Sequence, residues 1–98
     1  MRMLLTARLD TRTANEAFRT GALQQALKGA LDQLKPEAAY FTTTGGRRTW
    51  LFFFDLRDPS RIPATCERFF LDLDAEVDLK PVMNVDDLAK GVAEMESG

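Results

Sequence analysis

Four side chains of this 98-residue sequence could, if brought together, handle a small anionic molecule: Arg8, Arg48, Trp50 and Asp78. An arginine fork holds a carboxylate or enolate oxygen, an aromatic ring excludes water, and an aspartate buried beside rings has its pKa raised far enough to act as a base. Thr6 and Glu76 would extend the same patch, with Phe41 and Phe52 as walls. No histidine occurs. That removes the commonest general base, the Ser-His and Cys-His nucleophile pairs, a His-ligated haem, and most zinc and copper sites. Among these residues a carboxylate, Asp78, is then the expected base. Cys66, the one cysteine, falls on the apolar stripe of a helix, where a small buried thiol is expected rather than a nucleophile.

Two further constellations have plainer readings. Asp74, Glu76 and Asp78 share one face of a strand, with Arg2 and Arg8 expected on the same face of its neighbour. Such a row can ligate a hard cation or position an anion, but it also reads as a solvated edge with partial charge pairing. Arg47 and Arg48 follow Gly45-Gly46, and Thr42-Thr43-Thr44 precede it, which makes either an anion site or a polar hairpin tip. The glycine pair lacks P-loop spacing and opens no helix.

These groups need a scaffold. A chain of 11.0 kDa suits one domain spanning residues 1–98. With 45% apolar and 29% charged residues it is too apolar for disorder, and no apolar run approaches the length of a membrane span. Fifteen acidic against thirteen basic side chains leave a charge of -2 and no field to gather phosphates, so neither nucleic acid nor membrane is expected as a partner. Residues 47–54, RRTWLFFF, also lack the glycine of the RNA-binding RNP1 pattern. A single cysteine and the absence of an apolar leader give a cytoplasmic expectation.

Residues 2–9 alternate Met3, Leu5, Ala7 and Leu9 against polar neighbours, which predicts a strand. Thr13-Ala14-Asn15-Glu16 has capping-box spacing and predicts one long helix ending near Lys35-Pro36, with Gly21 and Gly29 marking a kink or a close approach. Residues 37–44 and 47–56 predict a hairpin turning at Gly45-Gly46, with Thr44 facing Arg47, Phe41 facing Trp50 and Tyr40 facing Leu51. Ser60 or a neighbour caps a helix carrying Ile62, Cys66, Phe69, Phe70 and Leu73. A strand over 75–82 and a short helix from Asn84, with Leu88, Val92 and Met95, complete the chain. The fold class is α+β, a ferredoxin-like βαββαβ arrangement with a four-stranded antiparallel sheet in the order 4-1-3-2, both helices on one face, and a C-terminal helix.

The strand over 47–56 is apolar on both faces. Either Phe41, Trp50, Phe52 and Phe54 or Tyr40, Leu51 and Phe53 must lie away from the helices, and the first choice puts Arg48 and Trp50 on the open face beside Arg8 and Asp78. A shift of one residue would turn Arg48 and Trp50 towards the helices instead. Either way the open face calls for a cover: a second copy in a sheet-to-sheet homodimer, or the C-terminal helix folded back.

With PEAAYFTT at 36–43, GGRRT at 45–49, PVMN at 81–84 and DDL at 86–88, the chain resembles the dimeric α/β-barrel superfamily, and especially small bacterial proteins without an assigned function. The resemblance implies two ferredoxin-like protomers packed sheet on sheet. The superfamily includes cofactor-independent monooxygenases, muconolactone isomerases and haem-dependent enzymes, but none of their catalytic motifs is matched. Two functions remain: binding or transforming a small molecule in a pocket of a dimeric barrel without a cofactor, or serving as a structural or regulatory dimerisation module with no catalytic activity.

Overall fold

Alternating and aromatic segments become strands, and the 3–4-spaced apolar segments become helices. The computed structural model describes all 98 residues. Strands β1 (Arg2–Arg8), β2 (Ala38–Thr44), β3 (Arg47–Asp55) and β4 (Glu76–Pro81) form one antiparallel sheet in the order β2-β3-β1-β4, which counted from the other edge is 4-1-3-2. Helices α1 (Thr11–Thr20) and α2 (Ala22–Leu34) follow β1, α3 (Ile62–Leu73) follows β3, and α4 (Val85–Ser97) follows β4. None of these helices is long and apolar enough to cross a membrane.

Gly45 and Gly46 take φ values of 58° and 80°, the left-handed pair that a two-residue hairpin turn requires. The turn sets the register: Thr44 faces Arg47, Phe41 faces Trp50 and Tyr40 faces Leu51. On the other side of β3, Leu5 pairs with Phe52 and Ala7 with Trp50. Because β1 has a single fully apolar face, this pairing commits Trp50, Phe52 and Phe54 to the same side as Met3, Leu5 and Ala7, and all six are buried. The Phe52 ring packs on Phe69 of α3 at 6.1 Å between centroids, so this is the helix side. The other parity, with these aromatics and Arg48 on the open face, is thereby corrected.

The single long helix is also corrected. Asp10, not Thr13, caps α1, its carboxylate accepting from the Thr13 amide at 3.0 Å. The chain then breaks at Gly21, whose φ of 87° ends α1 and starts α2 at an angle. A straight helix of that length would overshoot a sheet whose strands are at most nine residues long. Gly29 is the close approach: a Cβ there would lie 3.2 Å from Arg68 Nη1 of α3. Before α3, Asp58 caps a 3-10 turn over Pro59–Arg61 by accepting from the Ser60 amide at 2.9 Å.

α4 does not fold back. Asn84 and Asp87 form a reciprocal capping box, and Arg2 ties Asp87 at 3.3 Å, but every residue of the helix is exposed. The molecule is accordingly drawn out to 56 × 28 × 18 Å. Its radius of gyration is 15.7 Å, against about 12.5 Å for a compact chain of this length.

Alanine at Gly21 would have to adopt a left-handed backbone with no new contact in return, so Gly21→Ala is expected to cost ~1–2 kcal/mol in urea unfolding. The Asp10 pKa is held below the ordinary aspartate value, first by the backbone hydrogen bond from Thr13 and then by that residue's side chain. Its stabilising effect is complete above the unfolded-state value and is lost as pH falls through the lower folded-state value. Asp10→Asn keeps a capping oxygen but cannot titrate. The stability difference between parent and variant should therefore be flat near neutrality and change only in the acid limb.

Candidate functional site

The face of the sheet without helices is built from cross-strand rows. Ala38, Phe53, Leu4 and Lys80 form one row, Tyr40, Leu51, Thr6 and Asp78 the next, and Thr42, Thr49, Arg8 and Glu76 the third. Leu4, Leu51 and Phe53 are half-buried with no element over them, and Tyr40, 62% exposed, meets Phe53 edge to face at 6.4 Å. The middle of this face is therefore an uncovered apolar strip.

One end of the strip is polar. Arg8 Nη1 donates to Glu76 Oε2 at 2.9 Å, its Nε donates to the Thr44 carbonyl at 3.0 Å, and Arg47 Nη1 approaches Glu76 Oε1 at 3.7 Å. Two guanidinium groups thus share one carboxylate beside the apolar rows. Thr49 lies between Arg8 and Thr42, is 2% exposed, and donates its hydroxyl to the Arg47 carbonyl at 3.2 Å. Arg8 can lie over the hairpin turn because residue 45 is glycine; a Cβ there would collide with Nη2. Since Glu76 is largely exposed, each ion pair contributes at most about 1 kcal/mol, and the cluster holds orientation more than stability.

Of the four residues predicted to converge, only Arg8 and Asp78 lie on this face, one row apart on neighbouring strands. Trp50 is 6% exposed on the helix side. Arg48 also points to that side and donates to Asn15 Oδ1 of α1 at 2.9 Å. The walls expected from Phe41 and Phe52 go with them: Phe41 meets Trp50 and Phe52 edge to face at 6.2 Å in each pair. The cause is strand alternation, which turns residues 48, 50, 52 and 54 together. Asp78 is exposed, so within one chain nothing buries it beside aromatic rings.

Asp74 leaves the acidic row, because it ends α3 in a left-handed conformation (φ 48°) and accepts from the Thr13 hydroxyl at 2.6 Å. Cys66 is buried, and burial, aided by Glu67, raises its pKa and disfavours the thiolate. Sequence reasoning placed Arg47 in a hairpin-tip anion site apart from Arg8, put Leu51 on this face only in the other parity, and did not assign Thr49. The signal was present in the fully apolar face of β1, which pairs with β3 and decides its parity.

Compared with known proteins, the chain matches no family model and no curated protein.

Gly45→Ala places a side chain where Arg8 lies and forces a left-handed alanine. The expected loss is ~1–2 kcal/mol, with Arg8 displaced from Glu76. Gly46→Ala shares the strained backbone (φ 80°) but meets no neighbour. Chemical shifts of the Arg8 and Glu76 side chains should therefore change in the first variant and hold in the second.

Proposed function

We propose that the chain is a ferredoxin-like protomer of the dimeric α/β-barrel kind, pairing with a second copy through the open sheet face and holding a small anionic molecule between the sheets without a cofactor. The observation that carries this reading is the uncovered strip of Leu4, Tyr40, Leu51 and Phe53, which the protomer's own α4 leaves bare. A second apolar surface supports it. Leu88, Val92 and Met95 line one side of α4 and are 53%, 44% and 82% exposed. In plan, the sheet face measures roughly 400 Å2, from four strands ~4.8 Å apart and about six residues each. A stable interface buries ~800 Å2 per partner. α4, about 20 Å long, supplies the difference by reaching across to the other copy.

The guanidinium groups of Arg8 and Arg47 offer donors to an anion at the hairpin end of the face, one row from Asp78, and the apolar rows beside them exclude water, which strengthens that attraction once the face is covered. Asp78 becomes enclosed only in the pair of copies, where it serves as the base of a cofactor-free reaction or as a polar contact. A second reading has its own support. Arg8 already spends two of its donors on Glu76 and the Thr44 carbonyl, as suits a dimerisation module with no chemistry.

Sedimentation equilibrium at micromolar concentration should give twice the 11.0 kDa of the chain, and Leu51→Glu should give the single mass. A parent protein that stays monomeric throughout sinks the proposal. If it dimerises, thermal denaturation against a panel of small carboxylic acids separates the two readings. Binding requires stabilisation that weakens in Arg47→Ala, whereas a pure dimerisation module shows none.

A further inference from the structure

On the opposite side of the molecule, an open groove of about 610 Å3 lies between the α1–α2 junction and α3. Its walls are Ala17, Ala22 and Ala26 on one side and Leu71 of α3 on the other, so small side chains leave the space, and the buried Phe69 ring closes its base. Arg68 lines the same groove. This arginine makes neither an ion pair nor a hydrogen bond: its Nη1 is buried against α2 without a partner, and the donors left to a ligand are those of Nε and Nη2. Asp72 follows one turn later on α3, where i,i+4 pairing is ordinary, yet the two do not pair. The Arg68 guanidinium lies on α2 at Gly29, the position where even a methyl group would crowd it.

A cation held at the edge of an apolar groove, with its donors unspent, is complementary to one ligand class. From this geometry we infer that the groove binds a small monocarboxylate with an apolar aryl or alkyl body. The carboxylate accepts from Arg68 Nε and Nη2, and the body lies between the alanines and Leu71. A guanidinium fork matches a carboxylate in shape as well as charge. Asp72 in the same groove repels a second negative charge, which disfavours phosphates and dicarboxylates. The volume falls within the ~300–1,000 Å3 of small-molecule sites. This site lies on the helix side of the sheet and does not depend on the dimer or on Arg8 and Arg47.

The test is a set of 15N-1H NMR titrations of the full chain with phenylacetate, indole-3-acetate and octanoate, each against its neutral amide. At least one acid should give saturable shifts at the Ala17, Ala26 and Phe69 amides, with its amide binding at least tenfold more weakly. Arg68→Met should abolish that preference, and Ala26→Leu should abolish binding by filling the groove. Without ligand, Arg68→Met should melt no lower than the parent, because it removes an unpartnered buried donor; a merely structural arginine would lower the Tm. The inference is overturned if no acid gives saturable shifts, if acid and amide bind alike, or if the shifts fall on the open sheet face.

Discussion

The pairing of Leu5 with Phe52 across β1 and β3, with Phe69 of α3 packed against the Phe52 ring, is the contact on which the rest of the molecule depends. Leu5 and Phe52 are wholly buried and Phe69 nearly so, at the centre of the sheet and beneath the helix layer. Strand geometry allows only two parities, and a slip by one residue would exchange every side chain between faces. Placing Phe52 on the helix side brings Trp50 and Phe54 with it and sends Arg47, Thr49, Leu51 and Phe53 to the other. The core and the candidate site are thus opposite consequences of one register.

The open face shows how an apolar strand stays tolerable in a small α+β chain. Its apolar rows are short and end in charge on both sides, with Lys80 and Asp78 along β4 and the Arg8–Glu76–Arg47 cluster by the hairpin turn. Charges along an edge strand discourage indiscriminate pairing of strands without preventing a face-on partner. The hairpin glycines contribute twice: their positive φ values fix the register, and the missing side chain at residue 45 gives Arg8 its path over the turn to Glu76.

The helix layer follows a different logic, in which small residues create proximity. Gly29 lets the Arg68 side chain lie directly on α2, while Gln33 of α2 donates to the Ala64 carbonyl of α3 at 3.0 Å. The break at Gly21 falls at the groove lined by Ala17 at the end of α1 and Ala22 and Ala26 at the start of α2. α4 takes no part in this layer. Its acidic first turn and reciprocal cap stabilise it locally, so it holds its helix without packing against the sheet.

Most of the scaffold was legible in the sequence, because short-range rules govern it. Alternation marked β1 and β4, aromatic and β-branched residues marked β2 and β3, the Gly45-Gly46 pair marked the turn and hence the β2–β3 register, and Asn84 marked the start of the last helix. The capping spacing at Thr13 misled because Asp10 offered a carboxylate three residues earlier, and Gly21 was legible as a possible kink but not as a complete break. The candidate site was legible only by halves. Arg8 and Asp78 lie on strands with one apolar face, whose orientation leaves no choice. Arg48 and Trp50 lie on a strand apolar on both faces, where local pattern carries no information about which side meets the helices. That choice was made by pairing with β1 and by packing against Phe69, contacts between residues far apart in the chain. The groove at Arg68 is a tertiary result for the same reason, since no spacing in the sequence indicates that an arginine on one helix will lie against a glycine on another.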